Sequence, residues 1–128
     1  MTILINFLIL ILIAWIIGTQ RSNSGKAIGF RSLALVMIGA YAFTTLSIKD
    51  GVVVDYHVIA QIVTGISFVG AGLIFKDNGV HNLTTAILVW TMAAIAVTLG
   101  LGLTLEAIIF SLTVWLILCY KKEIKWKT

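Results

Sequence analysis

The sequence predicts an all-α membrane protein, a bundle of five transmembrane helices with four as the alternative count. Three observations lead there. Hydrophobic residues make up 60% of the 128 positions and charged residues 11%, where a soluble domain averages about half and about a quarter. The apolar residues fall in long uncharged runs separated by short polar segments. The lysines and arginines fall almost entirely on one side of those runs. One domain of this length cannot bury so much apolar surface in a single core, so lipid must cover part of it.

The first helix is expected at about 2–18. Its apolar run, Ile3 to Ile17, contains Asn6 as its only strongly polar residue. No basic segment precedes the run and no cleavage site follows it, so it reads as a retained helix rather than a signal peptide. A polar stretch from Gly18 to Arg31 leads to a second helix at about 32–48. Lys49-Asp50-Gly51 makes a turn, and Val52 to Asp55 is expected to be extended or interfacial. The third helix covers about 57–75 and ends in a loop, Lys76 to Asn82, with good turn chemistry. Asn82 or Thr84 is expected to cap the next helix.

From Leu83 to Tyr120 the chain carries no charge except Glu106, a run of 38 residues, while one span needs about 20. The segment Gly100-Leu101-Gly102-Leu103-Thr104 divides it into helices at about 83–99 and 104–120. Residues 1–120 are thus a transmembrane domain and 121–128 a basic tail. Proline is absent, so nothing forces a kink.

Orientation follows from the basic residues. With five spans and the N-terminus outside, Arg21, Lys26, Arg31, Lys76, Lys121, Lys122, Lys125 and Lys127 are cytoplasmic and Lys49 alone is outside. The C-terminus is therefore expected inside. If the first run lies on the surface instead, four spans remain and only the N-terminus moves. Trp15, Tyr120 and Trp126 fit an aromatic belt; Tyr41 and Phe43 are expected to pack within the second helix.

The third helix carries the most informative pattern. Ala60, Thr64, Ser67 and Ala71 share one helical stripe, with Gln61, Gly65 and Gly72 on the adjacent one and Gly70 close by. Small residues among leucines and isoleucines mean close helix approach. The fourth helix has its own small residues, including Thr84, Thr85, Ala86, Thr91 and Ala93. The two helices are expected to pack tightly. Gln61, Thr64 and Ser67 either hydrogen-bond across that interface or line a substrate path.

No carboxylate lies at mid-membrane, where a cation or proton path would need one. Asp50, Asp55 and Glu106 share the outer rim, as solvated groups or as a weak cation site; Glu106 is expected to reach water or to pair with Lys49. His57 and His81 lie on opposite faces and cannot share a metal. The single cysteine, Cys119, excludes an internal disulfide. The net charge of +4 sits beside apolar spans, as an anionic membrane leaflet attracts it, and no aromatic-interleaved basic stripe points to nucleic acid. Arg21, Lys26 and Arg31 lie among Gly18, Gly25 and Gly29, in a segment suited to a lipid phosphate, a partner protein or simply the orientation signal. No nucleophile–base pair, phosphate loop or metal-helix motif suggests an enzyme, and no cofactor is implied.

Four segments, in order, resemble the MgtC/SapB family of bacterial inner-membrane proteins. Gly18-Thr19-Gln20-Arg21 is similar to that family's Gly-x-Glu-Arg. Gly25-Lys26-Ala27-Ile28-Gly29-Phe30-Arg31-Ser32, with Leu35-Val36 and Gly39-Ala40, resembles its Ala-Gly-Leu-Arg-Thr…Leu-Val…Gly-Ala block. Ala60-Gln61-Ile62-Val63-Thr64-Gly65-Ile66-Ser67-Phe68-Val69-Gly70-Ala71-Gly72 resembles its Ala-Gln-Val-Val-Ser-Gly-Ile-Gly-Phe-Leu-Gly-Ala-Gly run. Leu83-Thr84-Thr85-Ala86, with Trp90 and Ala93-Ala94, resembles its Leu-Thr-Thr-Ala…Trp…Ala-Ala run.

Gln20 stands where the family pattern has Glu. Tyr56 and Val58 replace the Pro and Arg of its Asp-Pro-x-Arg segment, with one residue fewer in the spacing. Ending at Thr128, the chain is expected to be a short form without the soluble C-terminal domain of many members. The resemblance implies helix three at the centre of the bundle, function in the cytoplasmic Arg21–Arg31 loop, and a regulatory protein linked to magnesium limitation and to virulence within phagocytes. It also implies membrane partners, including the F-type ATP synthase and a magnesium P-type ATPase. The competing expectations are a transporter or channel subunit for a divalent cation or small solute, built as a homo-oligomer, and a structural module with no activity of its own.

Overall fold

The computed structural model describes residues 1–23, 28–76, 79–80 and 83–120. They form five helices, α1 (Thr2–Asn23), α2 (Phe30–Leu46), α3 (Tyr56–Ile74), α4 (Leu83–Gly100) and α5 (Thr104–Cys119). Two short antiparallel ribbons join them, β1 (Ile48–Lys49) with β2 (Val52–Val53), and β3 (Phe75–Lys76) with β4 (Gly79–Val80). α1, α3 and α4 are long and apolar enough to cross a membrane; α2 and α5 are apolar but shorter, at 17 and 16 residues.

The core forms around α4. This helix is apolar on every side, and a helix of that kind belongs in an interior. Leu88, Val89, Met92, Ile95, Ala96 and Leu99 are buried. α2 meets them with Leu33, Met37 and Ala40, and α1 adds Leu10, Ala14 and Ile17 to the same cluster. α5 lies at the side and buries only Ala107 and Ser111.

The expectation that helix three is the centre of the bundle is corrected here. α3 does pack on α4, where a Cβ added at Gly70 would sit 3.6 Å from the Ala86 carbonyl oxygen, and Ile62, Ile66 and Leu73 lie against the core. Gly70 is its only buried residue, however, and Phe68 is 84% exposed. The branched stripe removes more area on contact than the small one, so isoleucine rather than serine and threonine meets the core.

Local chemistry sets the element ends. α1 runs five residues past its expected end. The Thr19 hydroxyl folds back to the Trp15 carbonyl at 2.7 Å, so this polar turn satisfies itself within the helix. Asp50 and Gly51, with φ of 52° and 79°, join β1 to β2 in register Lys49↔Val52. Two consecutive positive φ angles are those of a tight type I′ hairpin. The Asp55 Oδ1 accepts the His57 backbone N–H at 2.9 Å and so caps α3. Asn82, the other expected cap, lies outside the described residues, and Thr84 is already inside α4.

Cross-helix contacts define the two ends of the bundle. At one end the buried Asn6 Nδ2 donates to the Leu99 carbonyl at 3.3 Å, and its Oδ1 accepts from the Thr104 hydroxyl at 2.9 Å. There too, the Tyr41 hydroxyl donates to the Ile3 carbonyl at 3.3 Å. Tyr41 is packed as expected, whereas Phe43 is 58% exposed. At the other end α1 finishes beside the starts of α2 and α4.

Candidate functional site

The end where α1 finishes holds the most unusual side chain in the described structure. Arg21, read from the sequence as part of a polar loop, is in the last turn of α1 and 5% exposed. A cation there suits the carbonyl end of its own helix. Its Nη2 donates to the Thr85 hydroxyl at 2.8 Å, and Thr85 is 2% exposed in the first turn of α4. The Nε–H is buried with no acceptor among the described residues. Beside it, the Gln20 Nε2 donates to the Leu118 carbonyl at 3.2 Å and so ties α1 to the end of α5. An ionised glutamate has no proton to make that bond.

α1 and α2 touch closely at the same end. A Cβ added at Gly18 would run into the backbone of Phe30, so only glycine permits this approach. A recess of about 400 Å³ opens beside the contact, lined by Thr19, Ser22, Gly29, Phe30, Arg31 and Ser32 along with Gly18. Arg31 is exposed there. Gly29 is the N-cap of α2, and no side chain caps the helix.

The α3 candidates are placed differently. Gln61, Thr64, Gly65, Ser67 and Gly72 are all exposed. The Thr64 hydroxyl donates to the Ala60 carbonyl at 3.3 Å, and Ser67 to Val63 at 2.7 Å. The hydroxyls expected to bridge to helix four are therefore satisfied within α3. Between α2 and α3 runs an apolar groove of about 600 Å³, floored by Gly39, Ala40, Ile62 and Gly65, with Gln61 and His57 as its polar members.

The comparisons with known proteins agree with these motifs. The MgtC family model matches residues 7–126. The chain belongs to the MgtC family. Two curated proteins, both called Protein MgtC, illustrate the likeness. The one from Brucella abortus (strain 2308) is 40% identical over 98 residues, 75% of this chain and 41% of that protein. The one from Salmonella typhimurium (strain 14028s / SGSC 2262) is 37% identical over 100 residues, 77% of this chain and 43% of that protein. The chain thus matches less than half the length of these MgtC relatives. No solved structure matches it.

Of the MgtC-like positions singled out from sequence, Arg21 and Thr85 meet directly, while Gly29 and Arg31 share the neighbouring recess. Gly70 lies at the α3–α4 contact and Thr84 is exposed in the first turn of α4. Gln61 and Gly65 line the outer groove, away from that end. Lys26 and His81 lie outside the described residues. No group of three carboxylate, histidine or cysteine side chains fit to hold a metal forms among the described residues, so Asp50, Asp55 and Glu106 do not assemble a cation site there. Asn6 was singled out only as a polar exception. Its position in the second turn of an apolar helix was the available signal, since a buried amide must find partners.

Proposed function

We propose that this chain is a small bacterial inner-membrane regulator of the MgtC type. In this reading it works by contact with other membrane proteins and carries no solute path of its own. One observation carries the reading. The polar and small residues of α3 that a path would need are exposed, and the cluster of buried side chains around the middle of α4 is apolar, with the buried polar residues Asn6, Arg21 and Thr85 at the bundle's ends. An outward stripe of small residues is the kind of surface on which a partner helix packs closely. Magnesium limitation, virulence, the F-type ATP synthase and the magnesium P-type ATPase enter only through the family resemblance. In the same reading the chain is multi-pass, with the basic loops and the C-terminus in the cytoplasm.

The transporter-subunit reading keeps one observation, the α2–α3 groove with Gln61 and His57 on its wall. That groove is open along its side, so a path through it would require a second chain to close it. Reconstitution separates the two. Purified chain in liposomes is expected to give no magnesium or proton flux above empty liposomes. Protein-dependent flux that disappears in Gln61→Leu would establish the transporter instead.

A further inference from the structure

Two positive features meet at the α1–α4 junction. Arg21 brings a guanidinium that is 5% exposed and uses one donor on a neutral hydroxyl, with its Nε–H unpartnered among the described residues. Thr85, which receives that bond, belongs to the first turn of the 18-residue helix α4. A helix start leaves N–H groups without intrahelical acceptors and carries a partial positive charge. The guanidinium and the helix start repel each other. Of the described carboxylates, Asp50 and Asp55 follow α2 and Glu106 begins α5, at the opposite end of the bundle. A buried charge without a counter-charge among the described residues is costly, and an oxyanion bound against both features would relieve both.

We infer that the last turn of α1 and the first turn of α4 form an oxyanion site for a phosphate group, with Arg21 as the charge and Thr85 as the polar anchor. Phosphate fits better than a carboxylate for two reasons. A guanidinium and a helix N-terminus are each suited to it. Both features also lie at the ends of membrane-length helices, at the depth of lipid headgroups. The ligand is a phospholipid headgroup or free phosphate. This inference is independent of the partner-binding role.

The test uses the full chain purified in detergent. Thermal unfolding is followed with inorganic phosphate against chloride at matched ionic strength. It is repeated in nanodiscs of phosphatidylcholine with and without phosphatidylglycerol. The wild type is expected to be stabilised by phosphate, by phosphatidylglycerol or by both; phosphatidylglycerol alone assigns the lipid as source, and an effect of phosphate assigns the free ion. Arg21→Gln is expected to weaken the effect about tenfold in midpoint concentration, as loss of one charge-assisted contact does. Arg21→Lys should fall between. Thr85→Val keeps the charge and should also weaken binding, which covers the case in which Arg21→Gln does not fold. No stabilisation of the wild type by either probe overturns the inference. So does an effect that persists in Arg21→Gln and vanishes in Arg31→Gln, which would mark general surface charge. Protection by acetate but by neither phosphate nor phosphatidylglycerol overturns it in favour of a partner's carboxylate.

Discussion

Single side chains fix the ends of this bundle, and each does so by a different force. Asn6 joins α1 to the α4–α5 turn through two hydrogen bonds, and each such bond between membrane helices is worth about 0.6–1.7 kcal/mol. Gly18 joins α1 to α2 by having no side chain. Gly18→Ala is expected to push the α2 start away, at about 1–3 kcal/mol, the usual cost of overpacking. Denaturant unfolding in mixed micelles measures it, and a wild-type midpoint would show that the approach is looser than described. Gln20 illustrates how one atom changes a role. Its amide donates to the Leu118 carbonyl, so the departure from the family's glutamate supplies a bond here that a carboxylate could not.

Among the elements, α3 and α4 divide the work of packing and of presenting a surface. Met92 is completely buried in α4, and Met92→Ala is expected to cost about 2–5 kcal/mol. Thr64→Ala on α3 removes a hydroxyl bonded to its own helix and should change stability by less than about 0.5 kcal/mol. A chemical-denaturation series on the two variants reads the contrast directly, and equal losses would mean that α3 is buried after all.

Much of this architecture was legible in the sequence. Five helices follow from the runs of apolar residues and from the turn chemistry at Lys49–Gly51 and Gly100–Thr104, because those signals are local. The centre of the bundle was not legible in the same way. A stripe of small residues reads equally as an inner contact and as an outer face, and only the fold tells them apart. The better signal was α4, which lacks a polar face altogether. The burial of Arg21 was hidden for a related reason. Charge and glycine content suggest a loop, whereas the Thr85 hydroxyl that receives the guanidinium is 64 residues away in sequence.

For the whole molecule, the chain is an α4-centred helical bundle of the MgtC family with a polar, small-residue face left outside. In the proposed function, this face meets a partner in the bilayer. Affinity purification from native membranes, comparing wild type with Ser67→Phe, tests that most directly. Ser67 is exposed and makes only an intrahelical bond, so the larger side chain should leave the bundle folded with wild-type unfolding behaviour. A membrane protein is expected to co-purify with the wild type and to be lost from Ser67→Phe. A partner retained at wild-type level by the variant, or no membrane partner for the wild type at all, would contradict it.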